Sequence, residues 1–578
     1  MPRRDSPVHV VTTTRVYKDR VYKSHLLRRS YREDGKVKNQ TVGNLSHLPD
    51  EIIDLVRRAL RGESFAAGAS AFEIVSSRPH GAVQAVTTAM QRLGFAGLLA
   101  PKPSRERDLV TALVAARILE PASKLATTRW WSTTSLAEVL GVADATEDDL
   151  YAAMDWLLAR QPAIEKKLAA RHLHEDGLVL YDLTSSYFEG ERCPLAKLGY
   201  SRDGKKGTLQ ITYGLLTDGG GCPVAVSVYS GNTSDSTTLL PQIEQLQARF
   251  GIRRVVLVGD RGMISEKQIR ELRTREGVDW VTALKSPQIR ELLGQGAIQL
   301  GLFDERNLFE MTHPDYPGER LVVCRNPEMA RRRKQKREAL LSATAEELER
   351  VRQMVGSGRL LTAARIGVRV GRVINKYKVA KHFALEIMDA SFAFTRRDEV
   401  IAEEAALDGL YVIRTSVAAE RIDTADAVRT YKRLSAVERA FRSLKTIDLK
   451  IRPIHQHLAD RVRAHVLLCM LAYYVEWHML AAWRELLFAD EDQAAKTTRD
   501  PVAPAERSAA ALHKVQTHQL ADGTEAHSFR TLLRQLSTIA RNTCRPKSAP
   551  GDRSCFTVIT TPQPKQRHAL QLLEQIRA

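Results

Sequence analysis

The stretch GLVLYD at residues 177–182 is a short apolar run that ends in an acid, and VVLVGD at residues 255–260 repeats this pattern. Short apolar runs are typical of buried strands, so each stretch predicts a strand followed by a carboxylate. An aspartate at such a position must be solvated, paired or bound to a metal, because burying a bare carboxylate is costly. Since ligands of α/β sheets bind at strand ends, Asp182 and Asp260 are candidate functional residues.

The segments around these two strands predict the rest of a sheet. Two further strand candidates flank the turn signal Asp-Gly-Gly-Gly at residues 218–221, which is typical of a hairpin. Three strands compatible with a meander are then followed by helix, strand, helix and strand. The bounds of these segments are 178–181, 209–215, 224–229, 238–250, 255–258, 266–275 and 280–284. This order predicts a mixed five-stranded sheet flanked by helices, which is an α/β core.

A third acid, Glu438, lies in the helical stretch YKRLSAVERAFRSLK at residues 431–445. One face of this helix has apolar side chains at the spacing of core packing, namely Val437, Ala440, Phe441, Leu444 and Ile447. A second stripe beside that face contains Glu438 together with Tyr431, Arg442 and Lys445. A carboxylate with basic and aromatic neighbours on this stripe is placed to face the end of the sheet.

Three carboxylates are a donor set for hard divalent cations, since Mg²⁺ takes oxygen ligands and keeps several waters. Two such ions about 3.5–4 Å apart can hold the attacking and leaving oxygens of an in-line phosphoryl displacement. Each acid alone also has a structural interpretation. Asp182 or Asp260 could cap a helix or pair with Arg261. Glu438 could form an i,i+4 pair with Arg442.

Other polar residues near these acids have simpler explanations. Asp235 and Glu189 are interpreted as turn residues or as residues that support the site without contacting the substrate. Asp426 could rival Glu438, but it has no lysine seven positions on. Three histidines, His455, His457 and His465, could suggest a metal site, but the sequence offers no cysteine and no fourth ligand to go with them. They are therefore attributed to packing and to closeness to phosphate.

The chain is strongly basic. It has 87 Lys and Arg against 68 Asp and Glu in 578 residues, and 87 − 68 gives a net charge of +19. This surplus favours a polyanionic partner, most simply nucleic acid, over a merely soluble basic surface. Five basic residues around a turn signal at residues 33–36 predict phosphate contacts or a solvated hairpin: Arg28, Arg29, Arg32, Lys36 and Lys38. The run RRRKQKR at residues 331–337 opens a charged helix to about residue 354, with the same two interpretations.

Cysteines and apolar runs indicate the compartment. The six cysteines contain no CxxC pair and form no disulfide framework in so long a chain, which favours a reducing cytosol. The start of the chain lacks the apolar stretch of a signal peptide. The longest apolar run, at residues 466–475, is about half of a membrane span and predicts a buried helix. We therefore expect a cytoplasmic protein without membrane contact.

Four segments and the opening of the chain form one pattern. They are VLYDLTSSYFEG around Asp182, residues 199–239, VVLVGDRGMIS around Asp260, residues 408–475, and YREDGKVKNQTVGNLSHLP near the start. In this order the chain resembles the DDE transposases of bacterial insertion sequences, in the branch with a β-rich insertion before the last acid. The resemblance implies an RNase H-like core in which Asp182, Asp260 and Glu438 hold two Mg²⁺ ions, for which Mn²⁺ can substitute.

The resemblance also assigns residues that contact DNA. The family's signature around the last acid has a Tyr, an Arg three positions later, the Glu four positions after that Arg, and a Lys seven positions after the Glu. Tyr431 and Lys445 fit this signature around Glu438. Leu434 occupies the Arg position, so Arg433 or Arg442 is expected to make that phosphate contact. Arg261 matches the Asp-Arg pair that is frequent in the family.

The whole chain is expected to be a multidomain α+β protein. We expect it to divide into six regions. A small basic β/α domain for DNA binding is followed by a helical region for DNA binding or dimerisation. Two pieces of the catalytic core then flank a β-rich insertion with the basic helix, and a linker with a C-terminal helical region ends the chain. The bounds in chain order are 1–80, 81–172, 173–285, 286–425, 426–488 and 489–578.

The activity implied is that of a transposase, an enzyme that cleaves DNA at the ends of an insertion sequence and transfers the 3′-OH into target DNA. Its partners would be terminal inverted repeats, target DNA and a second copy of the chain on DNA. It would work in the bacterial cytoplasm, associated with the nucleoid when bound to DNA. Two alternatives stay open: an RNase H-like nuclease that does not join DNA, and a catalytically inactive domesticated DNA-binding protein.

Overall fold

The computed structural model of the protein describes residues 7–18, 20–63, 72–547 and 554–577. Their strands are β1 (Val8–Tyr17), β2 (Arg20–Glu33), β3 (Lys36–Asn44), β4 (Phe72–Pro79), β5 (Gly177–Tyr187), β6 (Lys197–Leu198), β7 (Leu209–Asp218), β8 (Pro223–Ser230), β9 (Val255–Val258), β10 (Val278–Ala283), β11 (Leu308–Met311), β12 (Arg320–Arg325), β13 (Phe383–Met388), β14 (Ser391–Arg396), β15 (Leu410–Thr415), β16 (Ala540–Pro546) and β17 (Phe556–Ile559).

The helices of the described residues follow the same chain order. The α-helices are α1 (Asp50–Leu60), α2 (Gly81–Arg92), α3 (Phe95–Leu99), α4 (Arg105–Leu119), α5 (Lys124–Trp131), α6 (Leu136–Val139), α7 (Glu147–Ala159), α8 (Gln161–His172), α9 (Leu239–Glu244), α10 (Glu266–Leu272), α11 (Ser286–Gly294), α12 (Pro327–Gly356), α13 (Ala363–Tyr377), α14 (Asp398–Ala405), α15 (Thr424–Lys432), α16 (Leu434–Arg442), α17 (Ala459–Ala482), α18 (Ala495–Thr498), α19 (Ala509–Thr517), α20 (Phe529–Leu536) and α21 (Pro564–Glu574). Turns of 3₁₀ helix lie at Asp235–Thr238, Leu300–Leu302, Ala380–His382 and Arg484–Leu486, and π-helical turns lie at Gln245–Phe250 and Ser443–Ile447.

Two compact units make up the chain, and each combines segments that are distant in sequence. The first unit comprises Met1–Pro79 and Ile539–Thr561, and the second comprises His80–Thr538 and Pro562–Ala578. The C-terminal stretch that was expected to be helical therefore also contributes two strands, β16 and β17, to the first unit. The expected division into six parts stays a prediction.

Two three-stranded sheets form the first unit. Strands β1, β2 and β3 are antiparallel neighbours in that order, and the second sheet has the order β17-β16-β4. The hairpin between β2 and β3 turns at Asp34 and Gly35, which both have positive φ, while Glu33 is paired with Lys36. Two central residues with positive φ match the twist of the flanking strands, so the turn signal in this stretch predicts the hairpin correctly.

A nine-stranded mixed sheet is the centre of the second unit. Its order is β11-β12-β15-β10-β9-β5-β7-β6, and β8 pairs with β7. Strands β5, β9 and β10 run parallel, whereas the other neighbours are antiparallel. The five predicted strands are β5, β7, β8, β9 and β10, and they lie side by side. The sheet is wider than the five strands expected because β11, β12 and β15 of the following segment continue it beyond β10.

The segment 286–425 was expected to be β-rich, and this prediction is wrong because its longest elements are helices. Helix α12 has buried apolar residues at helical spacing and packs on α13 and the hairpin β13–β14. The core they share includes Leu341, Leu348, Ile366, Val370 and Phe392. The other strands of the segment belong to the main sheet. The charged helix predicted from residue 331 to residue 354 is α12.

Helix α17 packs in the interior of the second unit, against α4 and α7 and against β8. In the described part of the chain it is the one helix whose length and composition would allow it to cross a membrane, yet 83% of its apolar window is buried inside the protein. It is longer than the apolar run at residues 466–475 because the helix continues into polar residues at both ends. It is therefore a core helix that supports the sheet.

Candidate active site

Strand register places Asp182 and Asp260 at the same edge of the main sheet. Strands β5 and β9 are parallel neighbours, and Leu180 is paired with Val258. Each acid follows its member of this pair by two residues, Asp182 within β5 and Asp260 just beyond β9. Because parallel strands point to the same edge, the two carboxylates come to lie side by side.

Backbone amides hold one oxygen of each of these carboxylates. The N–H of Leu183 donates to Oδ1 of Asp182 at 2.8 Å. The N–H groups of Gly262 and Met263 donate to Oδ1 of Asp260 at 2.9 and 2.8 Å. Among the residues that the structure describes, no hydrogen bond reaches Oδ2 of either acid. One oxygen of each carboxylate is therefore fixed, and the other is available as a ligand.

Helix α16 presents Glu438 beside its buried face. Val437 is buried, and the ring of Phe441 packs edge-on against Tyr213 of β7, with 6.0 Å between the ring centroids. Glu438 itself is exposed. Within the described ranges it forms no ion pair, so the alternative of a pair with Arg442 is not realised.

A π-helical turn follows α16, and it changes which side of the helix each later side chain points from. The predicted apolar face extended to Ile447, but this side chain is 55% exposed. The wider turn rotates the residues after Arg442 away from the positions expected at about 100° per residue. Lys445 is buried in this turn, and it lines the same cavity as Glu438.

One cavity of about 610 Å³ brings the three acids together. Asp182, Asp260 and Glu438 all line it. Two of the predicted DNA-contacting residues, Arg442 and Lys445, line it as well. The other lining residues are Leu183, Thr184, Tyr200, Arg202, Asp203, Asp235, Phe441, Thr446 and Arg452. Acids from three distant segments thus face one space.

Negative charge is crowded in this cavity. Burial is the largest cause that raises the pKa of Asp182, and with the charges of Asp260 and Glu438 it brings this pKa to about 7. The amide of Leu183 and the guanidinium of Arg202 lower the same pKa. At neutral pH the cluster therefore favours either a bound proton or a bound cation.

The donor set fits hard divalent cations, because all three side chains offer oxygen. In the described residues, the one group of candidate ligands whose donor atoms all lie within 4.8 Å of one another is elsewhere, at His172, Cys222 and His478. Oxygen donors of this kind could hold one or two such ions.

Sequence reasoning missed a charged network beside the acids. Nη2 of Arg202 lies 2.6 Å from both carboxylate oxygens of Asp235, which had been interpreted as a turn residue or as a residue that supports the site. Asp203 has a side chain that is 2% exposed, accepts a hydrogen bond from Lys445 at 3.0 Å and pairs with Arg452. The signal was a run of charges between two strands, but such runs are usually solvated loops.

Three predicted DNA-contacting residues lie outside the cavity of the acids. Tyr431 and Arg261 line another cavity of about 250 Å³. Burial, with smaller contributions from the charges of Asp260, Glu438 and Asp182, raises the pKa of Tyr431 to about 12, so the phenol is close to the acids. Arg433 lies at the break between α15 and α16 and lines a third cavity, of about 750 Å³.

Basic residues in two other regions were predicted to contact DNA. Those of the first unit lie on the β2–β3 hairpin: Arg28 and Arg29, which are half-buried, and Arg32, Lys36 and Lys38, which are exposed. Lys38 pairs with Glu33 at 2.6 Å. At the start of α12, Arg331 and Arg332 both pair with Glu328 at 2.8 Å. Part of the positive charge in both regions is therefore already compensated.

Comparison with protein families assigns the class of this protein. Residues 174–475, about half of the chain, match the family described as the transposase DDE domain. The chain belongs to this family, and the matched residues include all three acids.

The start of the chain has a match of its own. Residues 10–71 match the N-terminal domain of the IS1634 family of transposases. Together the two matches identify an insertion-sequence DDE transposase. Among solved structures, the chain is similar to the piggyBac transposase in a cryo-EM structure of its synaptic complex with hairpin DNA, with a TM-score of 0.35, 9% identity and 81% of each chain covered. A search of curated proteins found no match.

Proposed function

We propose that the protein cleaves DNA at the ends of an insertion sequence and joins the freed 3′-OH to target DNA. The observation that carries this proposal is the meeting of Asp182, Asp260 and Glu438 in one cavity. Both reactions are in-line displacements at phosphorus, so one set of acids can serve both. Membership of the transposase DDE domain family supports DNA as the substrate.

The order of the strands supports an RNase H-like core. Strands β5, β7 and β8 follow one another as antiparallel neighbours, and β9 and β10 are added in parallel on the other side of β5. Asp182 lies on the first of these strands, Asp260 follows the fourth, and Glu438 lies on the helix that packs on β5. This is the arrangement that the resemblance implies for the core, here with further strands at both edges.

The three acids are the residues that would hold divalent cations, which transposases of this class generally use. When bound, a pair of Mg²⁺ or Mn²⁺ ions would supply activation of water and neutralisation of phosphate charge. Asp182 must lose its proton to act as a ligand, because its pKa is about 7. The backbone amides that hold Oδ1 of Asp182 and Asp260 orient the other oxygen of each acid toward the cavity.

Basic side chains around the acids would position the DNA strand. Arg442 is exposed and lines the cavity with Glu438, so it is placed to contact the phosphate beside the scissile bond. Arg261 and Tyr431 would contact phosphates on the side of Asp260. Arg433 would contact DNA farther from the scissile bond.

The partners follow from this chemistry. The basic hairpin of the first unit is proposed to bind the terminal inverted repeats, through phosphate contacts that fix the position of the DNA. Target DNA enters the site of the acids for joining. Because two element ends must be held together, the active form is proposed to be a homodimer assembled on DNA. The enzyme would act in the bacterial cytoplasm, on the nucleoid.

A cleavage assay with Asp182→Asn tests the proposal. The substrate is a plasmid that carries the coding sequence with its flanking DNA, incubated with Mg²⁺. We expect cleavage at the element ends to fall about 10²–10³-fold, while DNA binding in EDTA is nearly unchanged. Asp398→Asn, at an exposed acid in the first turn of α14, is the matched control and should cleave like the unmodified protein. Full cleavage by Asp182→Asn would remove Asp182 from the site.

Joining needs its own assay. A pre-cut DNA end with a free 3′-OH is incubated with target plasmid, and the covalent product is measured. We expect a product that requires Glu438 as well as Asp182. Cleavage without any joined product would identify a nuclease, and DNA binding without either reaction would identify a DNA-binding protein that has lost its activity.

A further inference from the structure

A fourth cavity, of about 510 Å³, is lined by basic side chains. It lies between the end of α4, the start of α5 and the segment that leads from the π-helical turn into α17. Half of its lining residues are basic and none is acidic: Arg117, Lys124, Lys450, Arg452, His455, His457, Arg461 and His465. Such a set attracts an anion with several oxygens.

Acids outside the cavity compensate only part of this charge. Arg452 pairs with Asp203, and Arg461 lies 3.7 Å from Asp155. The guanidinium of Arg461 also stacks on a tyrosine ring, 4.4 Å from its centroid, which fixes the direction of the side chain. A ligand would therefore meet a side chain that is already ordered.

Lys124 has no such compensation. It is 4% exposed, and among the residues that the structure describes its ammonium has no hydrogen bond and no ion pair. Burial, and to a smaller extent the charge of Arg117, lower the pKa of Lys124 to about 7. A charge on a side chain that is 4% exposed and has no partner is costly, so an anion in the cavity would favour the charged form of Lys124 and stabilise the folded protein.

His465 provides a second unsatisfied group in this cavity. It is 4% exposed, and its Nε2 lies 3.1 Å from the carbonyl oxygen of Ile451. Its Nδ1 is buried and has no hydrogen-bond partner in the described part of the chain. Burial and the charges of Arg117 and Lys124 lower the pKa of His465 well below its ordinary value. A phosphate oxygen beside Nδ1 would act against this and favour a proton there, which could then donate a hydrogen bond to the oxygen.

Arg452 connects this cavity to the acids, because it lines both spaces. We propose that the basic cavity binds a phosphate group of the DNA strand whose scissile phosphodiester lies at Asp182, Asp260 and Glu438. This inference rests on the proposed function and adds a subsite to it. The phosphate is either a terminal 5′-phosphate or an internal phosphodiester, since the cavity offers the same chemistry to both.

Lys124→Met tests this subsite, because it removes the charge and keeps most of the side-chain volume. Binding of a short blunt duplex is measured by fluorescence anisotropy in EDTA, at about 50–200 mM KCl. We expect affinity to fall about 10-fold and the slope of log Kd against log [KCl] to decrease by about 1. We also expect a higher melting temperature without DNA, because the variant no longer buries an unpaired ammonium.

Lys102→Met is the matched control. Lys102 is exposed in the segment before α4 and does not line the cavity. It should change neither the melting temperature nor the salt slope by as much as Lys124→Met. Equal affinity and equal salt slope for Lys124→Met and the unmodified protein would overturn the subsite.

Two comparisons separate the possible outcomes. A duplex with a 5′-phosphate and one with a 5′-hydroxyl identify the source of the phosphate: loss confined to the first indicates a terminal phosphate, and equal loss indicates an internal one. Failure of the proposed function can be told apart from failure of the subsite, because in that case the Asp182→Asn variant would still cleave DNA. Failure of the subsite would appear as Lys124→Met that still binds with the full salt dependence.

Discussion

Lys445 donates a hydrogen bond from its ammonium to Oδ1 of Asp203 at 3.0 Å, although the signature around Glu438 assigns this lysine to phosphate contact. Both side chains are buried, and Asp203 also pairs with Arg452. The pairing supports a positioning role, in which Lys445 fixes the loop after β6 against the helix of the third acid. Burial lowers the pKa of Lys445, but the charge of Asp203 acts against this and favours the charged form.

The variant Lys445→Met should therefore lower stability more than it changes DNA binding. We expect the free energy of unfolding in urea to fall by about 1.5–3 kcal/mol, because Asp203 keeps only one of its two cationic partners. The salt slope of DNA binding should stay unchanged, and Lys445→Arg should restore both stability and cleavage rate. A salt slope that drops by about 1 in Lys445→Met would instead identify a direct phosphate contact.

The raised pKa of Asp182 predicts how stability depends on pH without metal. Between the ordinary aspartate pKa of about 3.9 and the folded-state value of about 7, the folded protein holds a proton that the unfolded chain has released. The free energy of unfolding therefore falls as pH rises through this window. Asp182→Asn removes this contribution, so its melting temperature relative to the unmodified protein should rise by about 1–4 °C between pH 5 and pH 8 in EDTA.

Mg²⁺ should reverse this difference. The ion binds the deprotonated carboxylate of the unmodified protein and stabilises the folded state, whereas Asp182→Asn lacks one ligand. Melting curves at pH 8 with and without Mg²⁺ measure the effect. A difference between the two proteins that depends neither on pH nor on Mg²⁺ would contradict the assignment of Asp182 as a ligand.

The charge of Arg202 near Asp182 predicts how the pH profile of cleavage changes when this arginine is replaced. The charge of Arg202 lowers the pKa of Asp182, so Arg202→Met should move the rising limb of the profile to higher pH. Cleavage should fall at pH 7 and recover at pH 9. Arg202→Lys keeps a charge at this position and should shift the profile less. A uniform loss at all pH values would indicate a role in DNA binding only.

Gly231 lies where the end of β8 passes close to β7. A Cβ atom at this position would lie 1.9 Å from the carbonyl oxygen of Gln210, a backbone atom that cannot move freely. Gly231→Ala should therefore lower the free energy of unfolding by about 3 kcal/mol or more. Gly356→Ala, at the end of α12 with nothing within 4 Å, should be neutral or stabilising by about 0.5–1 kcal/mol.

Local patterns predicted a large part of this fold. Strand β9 has the predicted bounds, because a short apolar run between polar residues rarely forms anything other than a buried strand. The three acids were predictable as breaks in apolar patterns, and parallel strands then explain why Asp182 and Asp260 meet. Arg442 also lines the predicted site.

What the sequence could not predict depends on contacts between distant segments. The π-helical turn at Ser443–Ile447 could not be predicted, because its residues fit an α-helix equally well. Asp203 and Arg452 are ordinary loop residues until the fold brings them to Lys445. The segment 286–425 was misjudged because its strands extend the main sheet while its helices make their own core.

The sheet that joins β4 to β16 and β17 can form only late in protein synthesis. The ribosome produces β4 early, but its partner strand emerges only after residue 540, near the end of translation. Until then the edges of β4 are unpaired, so nascent chains and products of premature stop codons cannot complete the first unit. If that unit recognises the element ends, truncated copies made by the cell would be poor competitors for those ends.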